Sequence, residues 1–426
     1  MQQGSAGNGD TKPSIVYDPT DPGFLADPYA VYKRLRQECP VGRATLGDGG
    51  ARVVSKFRDA ASVLGNPSSR MRSPGGEIPA VIRDGPAARM WAHSISMSDP
   101  PDHTRLRRLL SPAFTPRATA RFRPVVGQIV TEALDAVEPR GEMEVMSEFA
   151  MVVPMRVICG LLGIPDSDWD LLMEWTPDLL RMFVPDANDE EGIELCHRAC
   201  ANFIEYLGAL VDRHRNSPTD NLTSHLVALE EAGDRLSRDE LIATLRGLIT
   251  AGFETTMGLI GSMVLGLLQN PDQMALLRSR PELVPNAVEE FLRWESPVHA
   301  HYRYLTTVWE VDGERMLPGE RVLALIAAAN RDPDLYEHPD RIDIRRPDIK
   351  HLSFGGGRHL CLGAPLARLE TQIAIGELLR RFDPIHLAAT EFRRRPHFQF
   401  MLLEELPVTF EVVSGGVNPE RASSRH

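Results

Sequence analysis

Phe354-Gly355-Gly356-Gly357-Arg358-His359-Leu360-Cys361-Leu362-Gly363 sets a thiol, an imidazole and a guanidinium in a glycine-rich loop just ahead of a predicted helix. Pro365 suits the first turn of that helix, where a missing N–H needs no partner. A thiol at such a position meets backbone N–H groups and the positive end of the helix dipole, both of which stabilise a thiolate. The three glycines let the backbone approach a large flat partner where side chains would collide. A plain turn carrying an inert buried cysteine does not ask for this order of residues. Zinc is disfavoured, since Cys361 and His359 lack a second ligand pair at zinc spacing.

A second cluster, Ala251-Gly252-Phe253-Glu254-Thr255-Thr256, places a carboxyl and two hydroxyls amid apolar residues. The surrounding stretch opens with the capping box Ser237-Arg238-Asp239-Glu240 and runs without proline to Pro271. Roughly thirty residues at 1.5 Å each make a rod of about 45 Å. A helix apolar nearly all round belongs in the interior. Gly252 costs about 1 kcal/mol against alanine there, the threonines can bond back to carbonyls and bend the rod, and Glu254 adds a desolvation cost. Rule-breaking concentrated at one place is expected of a functional site. Taken alone, the cluster reads equally well as an exposed acid beside two surface threonines.

Both segments resemble signatures of the cytochrome P-450 superfamily. The loop fills every position of the haem-binding signature Phe-x-x-Gly-x-Arg/His-x-Cys-x-Gly, and the helix centre matches the oxygen-binding sequence Ala/Gly-Gly-x-Asp/Glu-Thr-Thr. The resemblance implies haem b, with Cys361 as axial thiolate, Phe354 and Gly363 beside the cofactor, and His359 on a propionate. It also implies that Ala251 and Gly252 leave room for dioxygen, Thr255 hydrogen-bonds dioxygen or an ordered water, and Glu254 relays protons. His103 and Arg107 share a helix face at i, i+4 after Pro100-Pro101; with Arg303 they match propionate contacts of the family. Glu290 and Arg293, at i, i+3, match its Glu-x-x-Arg, with Arg341 as the third member of a buried ion network. Each charged pair alone is more often a solvated contact.

By the same resemblance the fold is that of cytochrome P-450. It is a triangular helical prism, mainly α with small β-sheets, with haem between the long central helix and the cysteine-loop helix. The implied activity is monooxygenation: one atom of O2 enters an organic substrate, by hydroxylation or epoxidation, and the other becomes water. Electrons are expected from a separate ferredoxin and ferredoxin reductase, docking on Arg105, Arg108, Arg117 and Arg358. The expected substrate is a bulky natural-product intermediate, free or bound to a carrier protein. Met90, Trp91, Ile95, Gly247 and Leu248 are expected to line its pocket, together with Val298, His299, Ala300, Phe400 and Met401. Two alternatives share the cysteine loop: an atypical haem-thiolate enzyme (C–C coupling oxidase, isomerase or dehydratase) and a non-catalytic haem sensor. The Glu254–Thr255 pair speaks against both.

The elements that must hold these residues are mostly helical. Apolar faces recur at helical spacing over Pro116–Val137, Phe149–Leu162, Trp169–Phe183, Gly192–His214 and Pro281–Trp294. Strand signals are shorter: Arg52–Ser55, and Val308–Ile326 broken by turns at Asp312-Gly313 and Pro318-Gly319. Cys196-His197-Arg198-Ala199-Cys200 is not the order of a c-type haem attachment, and its cysteines share a helix face suited to packing.

The chain has 426 residues, 42% hydrophobic and 25% charged, within the range of an ordinary globular protein. No repeat divides it, so residues 16–414 read as a single catalytic domain, with 1–15 and 415–426 expected to lack fixed structure. A net charge of −12 argues against nucleic acid as the main partner. Five cysteines in no framework spacing fit a reducing compartment. The N-terminal residues lack a signal-peptide pattern, and the longest apolar run, about Thr256–Leu268, is too short to span a bilayer. A monomeric cytoplasmic protein without membrane association is the expectation.

Overall fold

A computed structural model describes residues 15–18, 21–44, 50–79, 82–183, 189–231, 236–395, 399–400 and 402–413. The ends expected to lack fixed structure lie outside these apart from Ile15, and so does Met401 of the expected pocket. Helices dominate. Those that position the site begin with α1 (Phe57–Gly65), α2 (Pro86–Ala92), α3 (Asp102–Leu110), α4 (Arg123–Val137) and α5 (Val152–Leu162). They continue with α6 (Trp169–Leu180), α7 (Glu190–Asn216), α8 (Arg238–Gln269), α9 (Val284–Trp294) and α10 (Ala364–Arg381).

The predicted helices are present, with local departures. The one expected over Pro116–Val137 tightens to a 3-10 turn at Ala120–Phe122 before α4 begins. The one over Phe149–Leu162 starts inside a π-helical turn, Met146–Ala150. On α7, Cys196 and Cys200 are fully buried.

The rod α8 is 32 residues long, about 48 Å. Its capping box forms: Ser237 Oγ accepts the Glu240 N–H at 3.2 Å, and Glu240 Oε2 accepts the Ser237 N–H at 2.9 Å. Arg105 of α3 donates to both oxygens of Glu240, one of them at 3.1 Å, fastening α3 to this first turn. Among the described residues α8 alone is long and apolar enough to cross a membrane, but 72% of its apolar window is buried within the protein. It is the axis of the main core, with α5, α7 and α10 packed against it. Leu245, Ile249, Ile260 and Met263 are fully enclosed, each stabilising the fold by about 1.5–3 kcal/mol.

The strands are β1 (Val16–Tyr17), β2 (Val41–Ala44), β3 (Ala51–Val54), β4 (Ser69–Arg70), β5 (Glu142–Glu144) and β6 (Ala300–Leu305). Then come β7 (Trp309–Val311), β8 (Glu314–Met316), β9 (Arg321–Leu325), β10 (Phe382–Leu387) and β11 (Pro407–Val412). A six-stranded sheet runs β1-β2-β3-β9-β6-β4, with β3 and β9 parallel and β6 antiparallel to β9. Pairing of Arg303 with Val322 fixes the register that places Arg303. Smaller sheets are β10-β11-β5 and the hairpin β7-β8. That hairpin turns at Asp312-Gly313, both at positive φ (54° and 76°), the twist a two-residue loop demands.

Candidate active site

Backbone geometry explains the glycines of the cysteine loop. Gly355 and Gly357 take φ of 72° and 61°, which cost other residues about 1–2 kcal/mol. A Cβ on Gly357 would lie 2.5 Å from the Leu64 carbonyl oxygen of α1, so a side chain there is excluded by backbone. The Cys361 N–H donates to the Phe354 carbonyl at 2.8 Å, closing the loop. Burial pushes the Cys361 thiol up, while N–H groups of Gly363 and Ala364 and the Arg107 and Arg368 guanidiniums act the other way. Cys361 keeps accessible surface.

Between Leu241 and Leu267 the central rod is open along a single stripe. Gly247, Leu248, Ala251, Gly252 and Thr255 retain accessible surface, while the residues between them are buried. The spacing i, i+1, i+4, i+5, i+8 is one face of a helix. Ala251 is the most open. Gly252 serves packing: a Cβ there would sit 3.0 Å from Ile158 of α5. Thr255 Oγ1 donates to the Ala251 carbonyl at 3.1 Å and Thr256 Oγ1 to that of Gly252 at 3.4 Å, the back-bonding expected of mid-helix threonines. The helix nonetheless runs on unbroken. Glu254 is buried; desolvation pushes its carboxyl up to about 7, with Arg395 pulling weakly down. A group poised there can both take up and release a proton at neutral pH.

Donors gather at one end of this region. The His103 and His359 rings lie 4.1 Å apart at 43°. Burial pulls His103 down to about 4 and His359 to about 2, so both imidazoles are neutral at pH 7. His359 Nε2 and one terminal nitrogen of Arg358 are buried without a partner among the described residues. Arg303, also buried, donates to the Tyr302 carbonyl at 2.8 Å and the Met71 sulfur at 3.0 Å, neither of them a counter-anion. A Cβ on Gly363 would meet nothing within 4 Å. A thiol beside open space, with imidazole and guanidinium donors nearby, fits a flat apolar group bearing carboxylates, as haem is.

The ion network forms with one member exchanged. Arg293 Nε and a terminal nitrogen lie 2.7 Å from the two Glu290 oxygens, both side chains fully buried. The third side chain is Arg346, with Nε 3.4 Å from Glu290 Oε1. Arg341 is exposed and gives Arg293 only its carbonyl, at 3.1 Å. The expectation of Arg341 is thus corrected: in an aperiodic loop, nothing in the sequence says which arginine turns inward.

Several expected pocket residues are elsewhere. Gly247 and Leu248 lie on the open stripe, Ile95 and Phe400 are half-buried, and Val298 is bridged to Phe400. Met90 and Trp91, however, are sealed in the core: Met90 faces Ile204 and Ile242, and Trp91 lies under the Arg72 guanidinium at 5.0 Å. His299 is fully buried with Nδ1 3.1 Å from the Tyr32 hydroxyl, and Ala300 joins the same N-terminal aromatic cluster. On the expected docking patch, Arg108 and Arg117 are exposed and Arg358 donates to the Pro67 carbonyl at 2.6 Å. Arg105 is committed to Glu240 and leaves the patch. Sequence reasoning passed over Glu289, His351 and Arg368, which form a cluster beside the loop, and the buried Glu370 of α10. The acid pair Glu289-Glu290 was the available signal for the first.

The Cytochrome P450 family model matches residues 28–412. Cytochrome P450 107B1 of Saccharopolyspora erythraea is 39% identical over 402 residues, covering 91% of this chain and 96% of that protein. The 6-deoxyerythronolide B hydroxylase of the same organism is 36% identical over 382 residues, covering 88% and 93%. The crystal structure of P450BioI in complex with hexadec-9Z-enoic acid ligated acyl carrier protein matches with a TM-score of 0.86 at 36% identity, covering 91% of this chain and 100% of that one. Agreement in sequence and fold over nearly the whole chain makes it a member of the cytochrome P450 family, a P450 monooxygenase.

Proposed function

We propose that Cys361 ligates haem b and that its accessible face and the open stripe of α8 border one cleft, where a bulky natural-product intermediate is oxidised. The observation that carries this reading is accessible surface at Cys361 together with the accessible stripe in mid-α8, which is otherwise buried from Leu241 to Leu267. Haem with a thiolate ligand supplies dioxygen activation, delivering one oxygen atom to the substrate and the other to water with two electrons and two protons.

The chain's own residues do the rest. His103, Arg107, Arg303 and His359 hold the carboxylates of the group through charge-assisted and neutral hydrogen bonds. Glu254, with its carboxyl at about 7, takes protons from the solvent side and releases them inward. Thr255 gives up its bond to the Ala251 carbonyl to orient a water on the open stripe. Leu248, Phe400 and Val298 exclude bulk water and present apolar surface to the substrate. Electrons come from a separate ferredoxin and its reductase, docking on Arg108, Arg117 and Arg358. The kinship with a hydroxylase named for 6-deoxyerythronolide B supports a natural-product substrate. P450BioI, solved with an acyl carrier protein, supports a second reading in which the substrate arrives carrier-bound.

The test is spectroscopic. Haem-loaded protein, reduced and exposed to carbon monoxide, should give the haem-thiolate difference spectrum, and Cys361→Ser should abolish it. A spectrum unchanged by that substitution sinks the reading. A panel of free and carrier-bound acyl and macrolide compounds, scored by the low-to-high spin shift, then separates the two substrate forms.

A further inference from the structure

One carboxylate on α9 grips both flanks of the cysteine loop. Glu289 accepts two parallel hydrogen bonds from Arg368 of α10, Nε at 2.7 Å and a terminal nitrogen at 2.8 Å. It also lies 3.1 Å from His351 Nε2. The Ser353 N–H donates to His351 Nδ1 at 3.2 Å, so the imidazole carries its proton on Nε2 and donates it to Glu289. His351 precedes Phe354 and Arg368 follows Cys361, so the carboxylate ties the two ends of the loop to a third element. Between them sits Phe354: the Arg368 guanidinium carbon is 4.4 Å from its ring centre and the His351 ring 5.7 Å. The Phe354 carbonyl in turn receives the Cys361 N–H at 2.8 Å.

We propose that Glu289 is a positioning and charge-screening residue for Cys361: it neutralises Arg368 and, through Arg368 and His351, holds Phe354 and the cysteine loop in place. This rests on the reading that Cys361 ligates haem. The electrostatics agree with the geometry. Burial alone would raise the Glu289 carboxyl, yet the bonds from Arg368 and His351 outweigh it and hold it at about 2, so it is ionised throughout the working range. Arg368 lies against Phe354, whose carbonyl holds the Cys361 N–H, so its charge sits close to the cysteine loop. A bidentate pair has no net charge towards the sulfur; removal of either partner leaves one sign uncompensated beside it. Uncompensated positive charge favours the reduced, more negative state of the metal site, and uncompensated negative charge disfavours it.

The test is the reduction potential of the haem-loaded protein, measured spectroelectrochemically beside the carbon monoxide spectrum. Glu289→Gln keeps the shape and should shift the potential positive; Arg368→Gln should shift it negative. The double variant should return close to the wild-type value. A role confined to packing would move both single variants in the same direction and leave the double variant no better. That result, or two unmoved potentials, overturns the proposal. Should Glu289→Gln not retain haem, Arg368→Gln and the double variant decide the matter by the sign of one shift and its reversal. Wild-type protein without a haem-thiolate spectrum would instead sink the parent reading; a thiolate spectrum with unmoved potentials sinks this inference alone.

Discussion

Arg346 Nε lies 3.4 Å from Glu290 Oε1, on the carboxylate that already holds Arg293 in two bonds of 2.7 Å. Two guanidiniums therefore depend on one buried acid, and three backbone carbonyls, those of Asn330, Pro339 and Arg341, fill the remaining donors of Arg293. Deleting the acid strands buried positive charge. Glu290→Ala should cost about 3–5 kcal/mol in urea unfolding, Arg346→Ala distinctly less, and Arg341→Ala should leave the midpoint where it was. A larger effect at position 341 than at 346 would mean that the loop is held differently.

Glu254 makes stability depend on pH in a direction opposite to most acids. Its carboxyl is raised by burial from 4.5 to about 7, so the folded protein holds this proton more tightly than the unfolded chain. The contribution is complete below about pH 4.5 and is lost as pH rises through 7. At 1.36 kcal/mol per pKa unit, the loss is about 3 kcal/mol. Glu254→Gln behaves as the protonated form at every pH. Urea midpoints should therefore coincide near pH 4 and diverge by pH 8, with the variant the more stable. On turnover the order reverses, since glutamine cannot carry a proton.

Much of this site was legible because its chemistry breaks local rules. Three glycines before a thiol, and an acid with two threonines in the middle of an apolar helix, are costly unless something uses them. Long periodic helices such as α8 were equally plain, down to the capping box at Ser237. What was hidden depends on side-chain direction in aperiodic segments. His299 lies just before β6 and Ala300 opens it, where no alternation yet marks a direction, and both turn into the aromatic cluster around Tyr32. Arg341 and Arg346 sit in one loop with the same chemistry, and the second is picked by packing against Tyr336, whose ring centre is 5.2 Å from the Arg346 guanidinium, and by a bond to the Glu337 carbonyl at 3.1 Å. Glu289 was overshadowed by its neighbour, because an i, i+3 match draws attention to Glu290 alone.

The cysteine loop should tolerate no side chain at Gly357. The residue combines φ of 61° with a backbone oxygen 2.5 Å from where its Cβ would lie, and neither can relax without shifting α1 away from the loop. Gly357→Ala should lower stability by about 2 kcal/mol or more and release haem on gel filtration. Gly363→Ala meets no protein atom within 4 Å. It should keep the wild-type urea midpoint of the haem-free protein and lose only haem retention, since its Cβ enters the space assigned to the cofactor.

Arg105 and Arg117 separate a structural arginine from a docking one. Arg105 spends its guanidinium on Glu240, the capping acid of α8, and on Asp102; Arg117 is exposed. A long-range attraction to an acidic ferredoxin acts on the association rate and fades with ionic strength. Arg117→Glu should slow ferredoxin-dependent reduction about tenfold at low salt and flatten its salt dependence, with the urea midpoint unchanged. Arg105→Gln should do the converse: it weakens the joint between α3 and α8, lowers the urea midpoint, and leaves the salt dependence of reduction intact. Stopped-flow reduction across a salt series measures both. Equal salt slopes for wild type and Arg117→Glu would remove this face of the protein as the ferredoxin site.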